Sequence, residues 1–322
     1  MADPQAERPA DPLVLYIAGW GRSGSTLLER LLAEIDGVTL LGEVVHLWER
    51  GVRNNELCAC GAAFADCTFW SQVGQRAFGG WDRVDVDRIA HLKGQVDRQR
   101  RLPRTVRRSP APTTAAAIEE YAGHFRAVYA AAREVSGARI LVDSSKEIPT
   151  VMTLSHLDGL DLRVLHIVRD PRGVAYSWSK TVARPEADGE SMPKFSPAES
   201  TALWMSGNLT VQGLAYRGVP LTRMRYEDLV ASPQTCVSEA WHALDLPGPC
   251  DLPLINTAEE DAATGNSIVL HGCHSVAGNP MRFRTGLTEL RPDEAWRTEL
   301  AAGPRRLVTA MSYPVLRYFG YR

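Results

Sequence analysis

The sequence predicts an α/β protein with a doubly wound parallel sheet of the P-loop type, flanked by helices. Two observations support this fold class. Short apolar runs alternate with stretches of helical periodicity, which is typical of parallel sheets covered on both faces. A glycine-rich turn at 19–26 follows the first apolar run and precedes a helix, as in phosphate-binding loops. Polar motifs then stand where the predicted strands end, and in such folds ligands bind at those ends.

The first strand is the apolar run at 13–18, and a helix follows the glycine-rich turn. Apolar residues recur at helical spacing in that helix: Leu27, Leu28, Leu31, Leu32 and Ile35. Glycines in the turn allow backbone angles that other residues resist, so several N–H groups can converge at the positively polarised helix start. The first strand and helix therefore frame a site for a phosphate group.

The spacing of this turn is that of a Walker A loop, Gly-x-x-x-x-Gly-Lys-Ser/Thr, with one difference. Ser25 occupies the lysine position, and a cation stands inside the loop instead, at Arg22. The lysine that would reach the outer phosphates of a nucleoside triphosphate is therefore missing. This argues against an ATPase or kinase and favours a nucleotide with one 5′-phosphate and a further anionic group.

Four further apolar runs predict the remaining strands: Val38–Leu41, Arg139–Val142, Leu162–Val168 and Pro220–Arg225. No parallel-sheet pattern appears between about 44 and 137, so this region is predicted to be a largely helical insertion, with a helix at about 115–135. We expect residues 1–12 to be a disordered tail and residues 13–322 to form a single domain. The insertion and a loop at about 184–200 are expected to carry the acceptor pocket and a lid.

The composition is that of a soluble globular protein, with 44% hydrophobic and 23% charged residues. The net charge of −2 implies no general attraction to nucleic acid or to anionic membranes. The sequence shows neither a signal peptide nor an apolar run of the roughly 20 residues that span a bilayer. We therefore expect a cytoplasmic protein that binds no nucleic acid, and its six cysteines are too sparse for a disulfide scaffold.

Charged residues follow the predicted strands. Glu43 ends the second strand near the phosphate loop, and a carboxylate beside a bound anion is unfavourable unless it has a task such as proton removal. His46, three residues later, is a competing base.

Arg169 precedes Asp170-Pro171, a predicted helix start where cations are disfavoured unless an anion binds too. Lys146 follows the third strand. The alternatives to an anion-binding role are a structural ion pair for the arginine and a solvated surface position for the lysine.

The cysteines raise the question of a metal site. Cys58-Ala-Cys60 with Cys67 resembles half of such a site, and His271-Gly-Cys273-His274 resembles a second half. Neither spacing is the Cys-x₂₋₄-Cys pair of a structural zinc site, so each cysteine is interpreted as a small buried apolar group. We accordingly expect no metal.

Taken together, five motifs in order resemble those of sulfotransferases that use 3′-phosphoadenosine 5′-phosphosulfate. They are Gly-Arg-Ser-Gly-Ser-Thr-Leu-Leu at 21–28, Gly-Glu at 42–43, Asp-Ser-Ser-Lys at 143–146, Val-Arg-Asp-Pro-Arg at 168–172 with Ser177, and Arg-Tyr-Glu-Asp-Leu at 225–229. The match spans residues 13 to about 230, with a weaker piece at 278–284. It looks closest to the bacterial small-molecule branch and more distantly like the tyrosylprotein sulfotransferases.

The resemblance implies a set of nucleotide-binding residues. The 5′-phosphosulfate would be held by the loop residues Arg22, Ser23, Gly24, Ser25 and Thr26. Arg169 and Ser177, eight residues apart, match the family's 3′-phosphate motif, and Tyr226 matches a tyrosine beside the adenine. Arg282 and Arg284 resemble the basic loop that closes over the nucleotide.

The resemblance also implies catalytic roles. Glu43 matches the base of the tyrosylprotein branch, because it lies 21 residues after Arg22, as in that family. Lys146 matches a lysine near the sulfuryl group, and with Arg22 it would stabilise the departing bisphosphate. Many cytosolic members use a histidine base, so His46 remains a rival.

We therefore expect sulfuryl transfer from 3′-phosphoadenosine 5′-phosphosulfate to a hydroxyl of a small-molecule acceptor such as a secondary metabolite, lipid or sugar. The product nucleotide would be 3′-phosphoadenosine 5′-phosphate. Protein tyrosine sulfation and nucleotide binding without catalysis are the alternatives, and an NTP-dependent kinase is a more distant one.

Overall fold

Five parallel strands form the central sheet of the computed structural model, which describes residues 11–182, 191–256 and 266–322. The strands are β1 (Leu13–Gly19), β2 (Val38–Gly42), β3 (Ile140–Lys146), β4 (Asp161–Val168) and β5 (Leu221–Arg225). Their order across the sheet is β2-β3-β1-β4-β5, and each neighbouring pair is parallel. The predicted α/β fold class is confirmed. The predicted tail falls almost entirely outside the described residues.

The central strand β1 is buried along its whole length. Val14, Tyr16 and Ala18 belong to one hydrophobic cluster, whereas Leu13, Leu15 and Ile17 belong to another on the opposite face. Helices cover both faces, so every position of the strand is removed from water. This is why the strand reads as a continuous apolar run instead of alternating with polar residues.

Helices connect and flank the strands. The α-helices are α1 (Ser25–Leu32), α2 (Thr68–Phe78), α3 (Val86–Val96), α4 (Leu102–Thr105), α5 (Pro112–Ser136), α6 (Ile148–Leu154), α7 (Pro171–Ser179), α8 (Pro197–Thr210), α9 (Gln212–Arg217), α10 (Tyr226–Ala231), α11 (Pro233–Ala243), α12 (Trp296–Glu299) and α13 (Ala302–Tyr318). Short 3₁₀ helices occur at Val44–His46, Phe64–Asp66, Trp81–Arg83, Gln99–Arg101 and Pro280–Phe283, and a π-helix spans Leu47–Arg53. Among the helices in the described ranges, none is both long enough and apolar enough to cross a membrane.

The segment between β2 and β3 is largely helical, as predicted. Its longest helix, α5, runs slightly beyond the predicted 115–135 and ends at Gly137, which has a left-handed φ of 68°. Four aromatic residues of the segment pack into the hydrophobic core beneath α5: Trp48, Phe69, Trp70 and Trp81. Packing accounts for them, so we assign them no role in the acceptor pocket.

A second, antiparallel sheet was not predicted. It consists of β6 (Leu254–Asn256), β7 (Asn266–Leu270) and β8 (Gly286–Glu289), in that order. The loop that joins β7 to β8 returns to the central sheet, where the Val276 N–H donates to the Leu41 carbonyl over 3.0 Å. The Glu43 N–H donates to the Ala277 carbonyl over 3.4 Å. The loop therefore lies beside the carboxyl end of β2.

Candidate active site

The glycine-rich turn between β1 and α1 leaves the first N–H groups of α1 without a capping side chain. Gly24 precedes the helix with φ 91°, a left-handed conformation that favours glycine. A side chain at this position would also collide with the ring of Tyr226, whose nearest carbon lies 2.3 Å from the position of a Cβ atom. The turn is thus closely packed on Tyr226, with its free N–H groups at a positively polarised helix end.

A cleft of about 600 Å³ opens over this turn. Ten predicted site residues line it: Arg22, Gly24, Ser25, Thr26, Glu43, Lys146, Arg169, Ser177, Tyr226 and Arg284. They come from the carboxyl ends of all five parallel strands, from α7 (Ser177) and from the loop before β8. The strand order explains the convergence, because β3 and β4 lie on either side of β1 and carry Lys146 and Arg169 to the two sides of the turn.

Glu43 and Lys146 form an ion pair in the cleft, in which the Lys146 Nζ donates to Glu43 Oε1. Both side chains are mostly buried, with exposed fractions of 12% and 16%. The Lys146 Nζ also donates to the Ser144 carbonyl over 3.1 Å. Although burial raises the pKa of Glu43, the Lys146 ammonium lowers it below the usual value, and the net shift is downward. Glu43 is therefore ionised at neutral pH.

His46 is the other candidate base, and its Nε2 lies 3.4 Å from Glu43 Oε2. Burial lowers the pKa of His46 to about 4, against the opposing effect of the Glu43 carboxylate. The imidazole is thus neutral at pH 7. Both candidates are present in the proton-accepting form, and both line the cleft.

Two site residues have backbone conformations that are rare outside glycine. Arg22 has φ 68° and Lys146 has φ 66°, both in the left-handed region. The register between β1 and β3 shifts just before the position where Ala18 pairs with Lys146. Such conformations cost about 1–3 kcal/mol each and are concentrated at functional sites. Two of the cations that the sequence motifs identified, Arg22 and Lys146, therefore have strained backbone conformations.

The Asp-Ser-Ser part of the third motif holds Lys146 and Glu43 in position through buried hydrogen bonds. The buried carboxylate of Asp143 accepts hydrogen bonds from the Ser145 N–H over 2.8 Å and from the Tyr129 hydroxyl over 2.5 Å. The Ser145 hydroxyl in turn accepts from the Val45 N–H over 3.0 Å. This network ties the end of β3 to the residues that follow Glu43. Asp143, which lies within β3, is thus a structural residue.

Arg169 and Tyr226 form the opposite wall of the cleft, where the Arg169 guanidinium lies 4.6 Å from the centre of the Tyr226 ring. Arg169 Nη1 donates to the Arg22 carbonyl over 3.2 Å, and Nη2 donates to Asp293 Oδ2 over 2.9 Å. Asp293, which also lines the cleft, was not identified from the sequence. Its carboxylate occupies the place beside Arg169 where a phosphate could bind.

Arg22 points across the cleft mouth. Its guanidinium lies 5.0 Å from the centre of the Trp178 ring, and its Nη2 lies 3.1 Å from Met192 Sδ. Within the described residues its buried Nε has no hydrogen-bond partner. Burial lowers the pKa of Arg22. A half-buried cation with a buried, unsatisfied donor atom is well suited to an anionic ligand.

Two predicted nucleotide-binding residues lie elsewhere. Ser23 is fully buried, and its hydroxyl does not line the cleft. Arg282 is also buried, and its guanidinium donates to the carbonyls of Ser275 and Leu57, each over 2.9 Å. Arg282 therefore joins two loops in this structure and does not line the cleft. The structure departs from the prediction here because sequence position cannot show which way an arginine in a short 3₁₀ turn points.

Several residues that line the cleft were missed by sequence reasoning. They are Arg50, Trp178, Met192, Asn279 and Arg291, among others. Arg50 stands one helical turn after His46, a spacing that could have revealed it. Residues 183–190 of the predicted acceptor loop lie outside the described residues, although Met192 and Pro193 from its later part do line the cleft.

The chain is similar in structure to several solved bacterial proteins. One is the sulfotransferase domain from the curacin biosynthetic pathway, with 18% identity and a TM-score of 0.48 over 95% of this chain and 98% of that one. The sulfotransferase domain from the Synechococcus PCC 7002 olefin synthase has 18% identity and a TM-score of 0.45, with 95% and 97% covered. Sulfotransferase STF1 from Mycobacterium tuberculosis H37Rv has 16% identity and a TM-score of 0.41, with 74% and 68% covered.

No curated protein matches the chain. The sequence model of the Sulfotransferase family, in contrast, matches residues 12–249, which is most of the chain and includes the phosphate loop, the Glu43–Lys146 pair and Arg169. The protein therefore belongs to the Sulfotransferase family.

Proposed function

We propose that this protein transfers the sulfuryl group of 3′-phosphoadenosine 5′-phosphosulfate to a hydroxyl group of a small-molecule acceptor. One observation supports the proposal: a single cleft is lined by two sets of residues suited to anions and by a carboxylate. The first set is Arg22 and Lys146, the second is Arg169 and Ser177, and the carboxylate is that of Glu43. A nucleoside triphosphate needs only one such set, whereas a 3′,5′-substituted nucleotide needs both.

The donor would lie with its 5′-phosphosulfate over the start of α1. N–H groups at this helix end and the Arg22 guanidinium would bind the 5′-phosphate and sulfuryl oxygens. At the other end, Arg169 and the Ser177 hydroxyl would bind the 3′-phosphate, which would replace the Asp293 carboxylate as the partner of Arg169. The Tyr226 ring, packed between the loop and Arg169, would contact the adenine.

The proposed reaction is a direct displacement at sulfur. The acceptor oxygen forms a bond to sulfur while the bond from sulfur to the bridging oxygen of the 5′-phosphate breaks, and its electron pair leaves with 3′-phosphoadenosine 5′-phosphate. The acceptor proton passes to the Glu43 carboxylate. Lys146, already in contact with Glu43, would stabilise negative charge on the bridging and sulfuryl oxygens.

Glu43 is the base we propose. Its carboxylate is ionised and lies beside Lys146, so proton acceptance and charge stabilisation would occur at one point. The pKa values do not separate the two candidates, because the pKa of Glu43 is lowered as well. His46 is the second candidate because its ring contacts the Glu43 carboxylate, whereas Glu43 is paired directly with the Lys146 ammonium. Protein tyrosine sulfation would use the same donor site, and a screen that includes tyrosine peptides beside alcohols and phenols separates the two acceptor classes.

Nucleotide binding provides the first test. We expect 3′-phosphoadenosine 5′-phosphate to stabilise the protein by about 2.7 kcal/mol at a hundredfold excess over its Kd, which a thermal-shift titration detects as a rise in Tm. ATP and AMP, which lack a 3′-phosphate, should stabilise it much less at equal concentration. Equal stabilisation by ATP would contradict the role assigned to the second set, and no stabilisation by any of the three would contradict that of the first as well.

Replacing Arg169 with alanine should weaken binding of 3′-phosphoadenosine 5′-phosphate selectively. A charge-assisted hydrogen bond is worth about 1.5–3 kcal/mol, so we expect Kd to rise by roughly 10- to 150-fold. Adenosine 5′-phosphosulfate has no 3′-phosphate, and its Kd should change little. Calorimetric titration of both ligands measures the difference.

The matched control is Arg172→Ala. Arg172 lies on α7, three residues after Arg169, and pairs with Asp170 over 2.6 Å, but it does not line the cleft. This change should leave both Kd values near those of the unmodified protein. If Arg169→Ala weakened both ligands equally, the arginine would act on the loop, through its bond to the Arg22 carbonyl, and not on a 3′-phosphate.

A further inference from the structure

Three cysteines of the helical insertion converge with a histidine from the loop between β7 and β8. The residues are Cys58, Cys60, Cys67 and His274, and their Sγ and ring nitrogen atoms all lie within 4.8 Å of one another. Cys58 and His274 are separated by 216 residues in the chain. The group lies outside the cleft, and no step of the proposed reaction uses it.

Four of the six distances within the group are close to those of a tetrahedral zinc site. Cys67 Sγ lies 3.6 Å from Cys58 Sγ, 3.8 Å from Cys60 Sγ and 3.2 Å from His274 Nδ1. Cys58 Sγ lies 3.9 Å from the same nitrogen. Tetrahedral geometry with ordinary Zn–S and Zn–N bonds places two sulfurs about 3.8 Å apart and a sulfur and a nitrogen about 3.5 Å apart. One ion at the centre would therefore reach all four atoms after small shifts.

The surrounding backbone holds the four side chains in place. Gly61, with φ 89°, turns the chain after the Cys58-Ala-Cys60 pair, and its N–H donates to the Cys58 carbonyl over 2.9 Å. The Phe69 ring stacks on the His274 imidazole, with centres 5.1 Å apart and planes inclined by 16°. Cys58 and Cys67 are buried, whereas Cys60 is exposed and leaves a path for an ion to enter.

We propose that Cys58, Cys60, Cys67 and His274 bind one Zn²⁺ ion in a closed structural site. Three thiolates and one imidazole are an established ligand set for structural zinc. The sequence expectation of no metal came from the one-residue spacing between Cys58 and Cys60, and the geometry here argues against that expectation. Of the suspected second half-site, His271-Gly-Cys273-His274, only His274 joins the three cysteines.

The other two members of that half-site have different partners. His271 Nδ1 lies 2.6 Å from Glu34 Oε2, and the Cys273 thiol lies 2.7 Å from Arg30 Nη1. The first contact attaches the loop to the turn after α1, and the second attaches it to α1 itself. His274, the next residue, is turned to the opposite side, and its carbonyl accepts a hydrogen bond from Trp70 Nε1 over 2.7 Å.

The ion would fasten the insertion to the loop that completes the cleft. Next to His274, the Ser275 carbonyl accepts hydrogen bonds from the Ala59 N–H and from Arg282. Later in the same loop, three residues line the cleft: Asn279, Met281 and Arg284. Zinc would thus hold one wall of the cleft to the insertion, and its role is structural because all four positions are taken by protein ligands.

Zinc content tests the inference directly. The protein is purified without a histidine tag, kept reduced, dialysed against metal-free buffer and analysed by mass spectrometry for metals. We expect about one zinc per chain. Cys60→Ser and His274→Ala should each lower zinc content about tenfold or more, and removal of zinc by a chelator should lower the Tm of the unmodified protein. Cys60 is preferred to Cys58 because it is exposed, so its replacement leaves the core intact.

Cys236→Ser is the matched control, because Cys236 is a half-buried free cysteine on α11, outside the group. It should retain about one zinc per chain. Co²⁺ added to the zinc-free protein should produce thiolate-to-metal charge-transfer absorption, and Cys60→Ser should weaken it.

Fully reduced protein that contains no zinc and gives no cobalt spectrum would overturn the inference. So would equal zinc content in all variants, or a Cys60–Cys67 disulfide in the freshly isolated protein. None of these measurements involves a nucleotide or an acceptor, so the result is independent of the proposed function.

Discussion

Replacing Glu43 with glutamine should lower kcat by about 10²- to 10⁴-fold, the usual contribution of a positioned general base. Glutamine has nearly the same shape and can still contact Lys146, but it cannot accept the acceptor's proton. The measurement is turnover with a radiolabelled donor and a hydroxyl acceptor found by screening. Affinity for 3′-phosphoadenosine 5′-phosphate should remain near that of the unmodified protein, because Glu43 contributes a negative charge that does not favour binding of an anion.

His46→Gln is the matched comparison, since His46 lies 3.4 Å from the same carboxylate. We expect this change to lower kcat by less than about tenfold, through a small shift of Glu43. The reverse pattern, with a large loss in His46→Gln and a small one in Glu43→Gln, would transfer the role of base to the histidine. Unchanged turnover in both variants would show that neither residue is the general base.

Replacing Lys146 with methionine should lower kcat by about 10²- to 10³-fold, the loss typical of a single group that stabilises developing negative charge. Methionine keeps the length of the side chain and removes the ammonium. The product nucleotide lacks the sulfuryl group, so its Kd should change much less than kcat does. Single-turnover kinetics and a binding titration on the same variant measure the two effects.

The same variant should change the pH dependence. Lys146 is the largest influence that lowers the pKa of Glu43, and without it burial raises that pKa. The carboxylate would then become protonated at a higher pH, so the acidic limb of kcat/KM should move upward in pH. Lys93→Met is the control, because Lys93 pairs with Glu147 and does not line the cleft. An unmoved acidic limb in Lys146→Met would show that the limb reports a group other than Glu43.

Sequence reasoning predicted the fold class because the signals for it are local. Each parallel strand is an apolar run, and the turn at 19–26 combines glycines with a following amphipathic helix. The boundaries were less accurate. The first helix ends at Leu32 although Ile35 is also buried, and β3 continues through Ser144 and Ser145 to Lys146, where Ala18 of β1 pairs with it. The small antiparallel sheet was missed, since strands of three to five residues carry little periodicity.

The candidate site was predicted to a large extent for the same reason. Residues at the ends of parallel strands meet at one edge of the sheet, so the order of motifs was enough to bring Glu43, Lys146 and Arg169 into one cleft. The exceptions lie outside the strand ends. Ser23 turns inward from the loop, and Arg282 is held by the carbonyls of two loops that are distant in sequence.

The parallel sheet, the lysine-free glycine-rich turn and the charged residues at the strand ends could all be predicted from the chain, because each depends on residues that are close together in it. Which distant side chains meet became known only from the fold. It paired Arg169 with Asp293 and placed His274 against Cys58, Cys60 and Cys67. Such contacts depend on the path of a loop that returns to the sheet, and residue spacing along the chain carries no information about that path.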